Sequence, residues 1–348
     1  MLAAIVLAAT GTAWGMKVWY NSKFQQIAAL DVHSADIRDA PAQLGDENFL
    51  IVGSDTRAGA TKEMGVGDAN AVSGARSDAV MVAHVPEARD RAVLVSFPRD
   101  LEVTRPACER WDSTTGRYTG EIAPAERLVK LNTAYAVGGP RCVTKLVQQL
   151  TGMRMNHFVG IDFQGFKDMV DAVGGVTVTV DGPIIDAEVG TVATKAGPLR
   201  LDGDKALRFV RARKVEGDPT SDYGRMKRQQ SFIGALLHKA MSHHVLMNPG
   251  TLTRFVDAFA AATFGENMGV DQMLTLAQSM KGMDTGTITF LTVPTTGYAN
   301  DLGNEVLLRK DAGRLFRALI NDTPLPGEKP EPTTQVRDSS VHKDTGGG

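Results

Sequence analysis

Asp78-Ala79-Val80-Met81-Val82-Ala83-His84-Val85 and, after a short turn around Glu87–Asp90, Ala92-Val93-Leu94-Val95-Ser96-Phe97 read as two successive strands. Their near-continuous apolar character suits a sheet covered on both faces rather than one washed by solvent. Asn48-Phe49-Leu50-Ile51-Val52 reads as a strand before them, ending in Gly53-Ser54-Asp55-Thr56-Arg57. His157-Phe158-Val159-Gly160-Ile161 reads as a strand after them. A helix follows with Phe163, Phe166, Met169, Val170 and Val173 on one side, closed by Gly174-Gly175. Val176-Thr177-Val178-Thr179-Val180 then alternates as a strand. This β–α–β order argues for the α/β class, a layered α/β/α sandwich around a central mixed sheet. Further helices are expected over Pro140–Leu150, along the stripes Leu252, Phe255, Val256, Phe259 and Val270, Met273, Leu274, Ala277, and over Asp311–Ile320. Thr287–Val293 reads as a late strand.

The chain has 348 residues, 43% of them hydrophobic, enough for a sizeable core. A formal charge of −2 gives no support for general nucleic-acid binding, so any basic character is local. Residues 1–16 carry no charge, and Lys17-Val18-Trp19-Tyr20 follow with a basic residue and interfacial aromatics. A spanning helix needs about 20 apolar residues. The reading is therefore an export anchor over 1–20, with a cleaved signal peptide and a buried core helix as competing readings. No basic stretch precedes the apolar run, from which the expectation is a natural start further upstream. A polar connector is expected over 21–45, a folded domain over 46–321 and a disordered Pro-, Gly- and charge-rich tail over 322–348. Only Cys108 and Cys142 occur. In an oxidising compartment they could form a disulfide; two unrelated buried thiols are the alternative.

The chemistry-bearing residues gather at element ends. Asp55 follows one strand and Asp78 opens another, with Arg57 and Arg76 beside them. Two carboxylates suffice for Mg²⁺ when phosphate oxygens and water complete its shell, although either aspartate alone is more often a loop residue satisfying backbone amides. Pro98 ends a strand and projects Arg99, with Asp100 next; a surface ion pair is the bland alternative. Phe209, Arg211 and Arg213 share strand parity, which would aim both arginines at one face. Asp222 can cap the next helix, on which Arg225 and Gln229 lie one turn apart. Guanidinium forks match phosphate oxygens, and the positive end of a helix dipole favours anions. No P-loop, nucleophile elbow or metal-ligand cysteine spacing is present. The seven histidines read as solvated or core.

Residues 48–57, Ala75-Arg76-Ser77-Asp78, Ser96-Phe97-Pro98-Arg99-Asp100, residues 130–139, Asp171–Val176, Leu201-Asp202-Gly203, Phe209–Arg213 and Asp222–Gln230 occur in one order. Together they resemble the LytR–CpsA–Psr family of cell-envelope proteins over most of 46–242. The resemblance implies a membrane-anchored, extracytoplasmic phosphotransferase. It would move a glycopolymer from a polyprenyl-pyrophosphate carrier onto peptidoglycan through a phosphodiester, with Mg²⁺ (or Mn²⁺). By position, Asp55 and Asp78 resemble the metal ligands. Arg76, Arg99, Lys130, Arg211, Arg213, Arg225 and Gln229 resemble the pyrophosphate-binding set. Arg99 would neutralise developing charge, and Asp100 is a candidate base for the acceptor hydroxyl. The family's apolar lipid tunnel would draw on the Phe158–Val170 region. The cysteine pair fits an actinobacterial member, for which arabinogalactan is the expected polymer; relatives of that kind carry a further small domain after a Pro-rich linker such as the one that ends this chain. The alternatives are a polyprenyl-pyrophosphate phosphohydrolase at the same site and a non-enzymatic lipid-phosphate-binding regulator.

Overall fold

The computed structural model describes residues 24–54, 77–220, 222–269, 272 and 288–328. The anchor read over 1–20, Asp55, Arg57, Arg76, the stripe Val270, Met273, Leu274, Ala277 and the tail beyond 328 lie outside these residues. Among the described residues no helix is long and apolar enough to cross a membrane.

The described chain opens with β1 (Gln25–Gln26), β2 (Glu47–Ser54), β3 (Ser77–Val85) and β4 (Ala92–Phe97). An extension follows, made of β5 (Glu102–Arg105), β6 (Cys108–Asp112), β7 (Arg117–Ala123) and β8 (Glu126–Lys130). Then come α1 (Asn132–Thr151), β9 (His157–Asp162) and α2 (Phe163–Ala172). A small β region holds β10 (Val176–Val180), β11 (Ile184–Asp186), β12 (Gly190–Ala193) and β13 (Gly197–Leu201). The helices α3 (Gly203–Arg211), α4 (Asp222–Ala240), α5 (His243–Leu246) and α6 (Pro249–Ala262) lead to β14 (Thr263–Glu266). The described chain closes with β15 (Ile288–Thr292), β16 (Thr295–Ala299), β17 (Glu305–Leu307) and α7 (Arg309–Ile320).

Seven strands form one mixed sheet in the order β1-β14-β9-β2-β3-β4-β15. β9 and β2 pair in parallel, whereas β2, β3 and β4 run antiparallel. Side chains alternate across it. Leu50, Val52, Val80, Val82, Val93 and Val95 pack into one core with Tyr135, Val143, Leu146 and Val147 of α1 and Phe316 and Leu319 of α7. The opposite face carries Ile51, Met81 and Ile161 beneath α2, α3 and α4. A second core joins α2, α3 and α4 to the small β region through Val170, Val178, Leu201, Phe209 and Phe232. The layers are thus α/β/α around a mixed sheet, as the apolar runs imply.

Four local readings are corrected. Val176–Val180 is a strand, but it pairs antiparallel with β13 in a separate two-stranded sheet and leaves the main sheet. Phe209–Arg213 is not a strand: α3 runs to Arg211, its start fixed by Asp202 accepting from the Lys205 N–H. Burial of Ala206, Leu207, Phe209 and Val210 follows the helical period rather than strand alternation. The helix read over Pro140–Leu150 begins earlier, at Asn132, with a kink at Gly139 (φ 57°) immediately before Pro140. The described part of the stretch read as a polar connector, from Phe24 on, packs on the domain, where β1 pairs with β14 and the Ala29 and Leu30 N–H groups donate to Glu266.

The α1 kink receives the β6–β7 hairpin. A Cβ on Gly139 would lie 2.5 Å from the Trp111 indole, so the ring occupies that space. Cys108 and Cys142 form a disulfide beside it, closing a 34-residue separation. Chain-entropy reasoning gives such a loop about 4 kcal/mol, and measured values commonly run about 2–4. A Cys108→Ser, Cys142→Ser double variant is expected to lose about 2–4 kcal/mol in equilibrium urea unfolding. Unfolding that coincides with wild type would remove the bridge from any stabilising role.

Candidate active site

The ends of β3, β4, β8, α3 and α4 meet at one edge of the sheet. Asp78 is the second residue of β3, and Arg99 lies just past β4 where Pro98 turns the chain. Lys130 ends β8, and its segment is pinned there: the Leu131 N–H donates to Leu101 O (2.9 Å) and the Asn132 N–H to Arg99 O (3.1 Å). Arg213 follows α3 in a loop held by Asp186 Oδ2, which accepts from the Arg213 and Lys214 N–H groups (2.7 and 2.5 Å). Asp222 and Arg225 occupy the first turn of α4.

These side chains close a circle. Arg99 Nη1 donates to Asp78 Oδ1 at 2.8 Å, and its Nε lies 3.7 Å from Asp100 Oδ1. Asp100 Oδ1 also faces Lys130 Nζ at 3.4 Å, while its Oδ2 accepts from Arg213 Nη2 at 3.0 Å. Arg213 Nε lies 3.4 Å from Asp222 Oδ1, and Arg225 Nη2 reaches the same oxygen at 2.9 Å. Arg225 Nη2 then donates to the backbone carbonyl of Asp78 at 3.0 Å, which completes the ring. Arg99, Arg213 and Arg225 alternate with Asp78, Asp100 and Asp222, and Lys130 joins from outside through Asp100, leaving a local surplus of positive charge in a chain that is otherwise near neutral.

Burial dominates the electrostatics of the Asp222–Arg225 pair, whose residues are 7% and 4% exposed. It pushes the Asp222 carboxyl up, opposed by the neighbouring Arg225 and Arg99 charges. It pushes the Arg225 guanidinium down, opposed chiefly by Asp222. Loss of water is the larger influence on both partners, so their charges depend on the ring around them.

Behind the ring lies a cavity of about 210 Å³ between the sheet and the helices. Its mouth carries Asp78, Arg99, Arg211, Arg213, Arg225 and Gln229. Its walls are apolar, with Ile51 and Met81 from the sheet facing Phe163, Phe166, Leu207 and Phe232. A charged mouth on an apolar chamber suits a phosphate ester with a hydrocarbon tail.

The structure brings Asp78, Arg99, Asp100, Lys130, Arg213 and Arg225 into direct contact. Arg211 and Gln229 reach the same mouth differently. The Arg211 guanidinium stacks over the Phe163 ring (4.9 Å), and Gln229 Nε2 donates to Val210 O (3.3 Å). Arg211 and Arg213 therefore do not share a strand face, because the helix ends between them. Of the Phe158–Val170 region, Phe163, Phe166 and Met169 line the cavity, whereas Phe158 belongs to the core on the other face. Sequence reading assigned Asp222 only a capping role and missed its pairing with two arginines. It also missed Arg228, which fixes the α3–α4 loop through Ala212 O (2.8 Å) and Asp218 Oδ2 (3.3 Å). Gly224 permits that loop to close: a Cβ there would lie 2.2 Å from Asp218 Oδ2. The Asp222–Arg225 pair stands at i,i+3 spacing and is legible once the helix is drawn, whereas the Arg213–Asp222 and Arg228–Ala212 contacts cross a loop and leave no periodicity.

The site is thus a cation–carboxylate ring at the mouth of an apolar chamber in a three-layer α/β domain. The LytR_cpsA_psr family profile matches residues 15–317, and the chain belongs to that family. LcpB of Corynebacterium glutamicum, named a probable cell wall biosynthesis protein, is 33% identical over 300 residues, 85% of this chain and 64% of its own length. The chain therefore spans less than two thirds of that relative. TagU of Bacillus cereus, a polyisoprenyl-teichoic acid–peptidoglycan teichoic acid transferase, is 30% identical over 253 residues, 72% of this chain and 70% of TagU. Among solved structures, a LytR-Csp2A-Psr enzyme from Actinomyces oris superposes with a TM-score of 0.59 at 20% identity, covering 85% of this chain and 94% of the other. That likeness concerns the fold.

Proposed function

We propose that this protein is a phosphotransferase that moves a glycopolymer from a polyprenyl-pyrophosphate carrier onto peptidoglycan. The observation that carries the reading is the closed ring of Arg99, Arg213 and Arg225 with Asp78, Asp100 and Asp222, joined by Lys130 and set at the mouth of an apolar cavity. A polyprenyl pyrophosphate has matching parts, a diphosphate head for the ring and a hydrocarbon chain for the chamber. Relatives named for cell wall biosynthesis and for teichoic acid transfer support the same reading.

In this mechanism the acceptor hydroxyl oxygen attacks the sugar-side phosphorus. A new P–O bond forms, the bond from that phosphorus to the bridging oxygen breaks, and polyprenyl phosphate departs with the electron pair. Arg99, Arg213 and Arg225 neutralise the charge as it develops, already oriented by their carboxylate partners. Asp100 orients Lys130 and Arg213, and is the proposed acceptor for the hydroxyl proton once substrate draws one of them away. Asp78 presents a hard carboxylate at the cavity mouth, a donor suited to Mg²⁺ or Mn²⁺ shared with phosphate oxygens. Asp55, next after Ser54 of β2, is proposed as the second ligand. When bound, the ion would supply further charge neutralisation at the diphosphate.

The apolar N-terminal run is proposed as a single-pass anchor over 1–20 that holds the domain over 46–321 outside the cell, beside its lipid-linked substrate. Arabinogalactan is the proposed polymer. The test is a reconstituted reaction with synthetic lipid-linked oligosaccharide, nascent peptidoglycan and Mg²⁺ or chelator. Polymer joined to peptidoglycan only with the metal is expected, faster from a lipid-linked galactan than from a teichoic acid precursor. Release of free polymer whether or not peptidoglycan is present would make the protein a hydrolase instead.

A further inference from the structure

At the end of the sheet opposite the cation–carboxylate ring, three acceptor groups face one another. Asp46 stands just before β2, His84 sits near the end of β3 opposite Asn48, and Asp322 follows α7. His84 is fully buried, and its Nδ1 lies 2.8 Å from the Asn48 amide oxygen. With that oxygen turned to the ring, Nδ1 carries the proton and Nε2 presents a lone pair, while the Asn48 Nδ2 stays buried without a partner among the described residues. Nε2 looks onto Asp322 Oδ1 at 3.3 Å. Asp46 is 3% exposed; its Oδ1 accepts from the Glu87 N–H, and its Oδ2 is buried without a hydrogen-bond partner among the described residues. One oxygen from each aspartate and one imidazole nitrogen all lie within 4.8 Å of one another.

Neighbouring cations do not resolve this. Arg89 is engaged by Glu47 and by the Val85 and Pro86 carbonyls, and Arg91 by the Thr323 carbonyl and Glu328. We infer that Asp46, His84 and Asp322 form a divalent-metal site of mixed nitrogen and oxygen type, taking Zn²⁺ or Mn²⁺. Two carboxylates and a neutral imidazole balance a doubly charged ion, and imidazole favours these metals over Mg²⁺. The 3.3 Å separation is close to the edge of a tetrahedron with metal–ligand bonds of about 2.0–2.1 Å, which is about 3.4 Å. Asn48 serves as the outer partner that fixes the imidazole tautomer. The ion would clamp the end of α7 to the sheet, remote from the reacting groups.

The test uses the full chain after chelator treatment, in an Asp78→Asn background so that the cleft contributes no metal. Isothermal titration with Zn²⁺ and with Mn²⁺ is expected to give one equivalent per chain and a rise in melting temperature. Asp322→Asn, at a half-exposed side chain, is expected to weaken binding by about tenfold or more and to abolish that rise. Asp46→Asn should do the same. Cobalt(II) loaded in place of zinc should give visible absorption bands that Asp322→Asn alters. Absence of bound Zn²⁺ and Mn²⁺, or equal binding by both variants and their parent, would overturn the site. The first outcome would mean that the Asn48 amide is reversed and that the His84 Nε2–H donates to Asp322.

Discussion

Arg99→Ala is expected to lower the rate of polymer transfer by about 10²–10³, the usual cost of deleting one preorganised donor at developing charge. Arg99 joins Asp78 of β3 to Asp100, which in turn holds Lys130 and Arg213. Its loss removes a cation and also frees Asp78, which the proposed metal would share. The effect should fall on kcat more than on KM, because the apolar chamber still holds the carrier's hydrocarbon. Arg99→Lys keeps the charge but not the planar fork, so it should recover only part of the rate. Steady-state kinetics with lipid-linked oligosaccharide and peptidoglycan measures both variants. Transfer by Arg99→Ala at the wild-type rate would mean that the charge is neutralised elsewhere.

How much of this arrangement the sequence discloses depends on the range of the interaction. The strands over 47–54, 77–85 and 92–97 are legible because burial on both faces demands unbroken apolar runs, and such runs need no knowledge of partners. The segment over 203–213 shows the limit. Nine helical residues and a short alternating run look alike when Arg211 and Arg213 stand two apart. The signal that separates them is Asp202, three residues before Lys205, which marks a helix start. Lys130 enters the site through the β5–β8 pairing, in which Glu102 lies opposite Lys130 across a long excursion of chain. No local pattern encodes that register. Asp222 is the sharpest case: a helix-opening aspartate invites a capping role, yet its carboxylate faces Arg213 and Arg225. The family resemblance supplied the arginines, but only the fold shows which carboxylates hold them.

Arg225→Ala is expected to destabilise the protein by about 3–5 kcal/mol, as removal of one partner from a buried ion pair generally does. Arg225 is the more enclosed member; it forms an ion pair with Asp222 and donates a hydrogen bond to the Asp78 carbonyl. Without it, Asp222 keeps only the longer contact with Arg213 and stays out of water. Its carboxyl, already pushed up by burial, would rise further because the largest opposing charge is gone. A carboxyl whose folded pKa exceeds its unfolded value binds more protons in the native state between the two. Stability therefore falls as pH rises through that window, and the variant should lose more at neutral pH than in mild acid. Equilibrium urea unfolding at several pH values reads this directly. Pairing Arg225→Met with Asp222→Leu removes both charges and should restore most of the lost stability while leaving transfer activity absent. A single variant that unfolds like wild type at every pH would show that the Asp222–Arg225 contact is not what closes the ring.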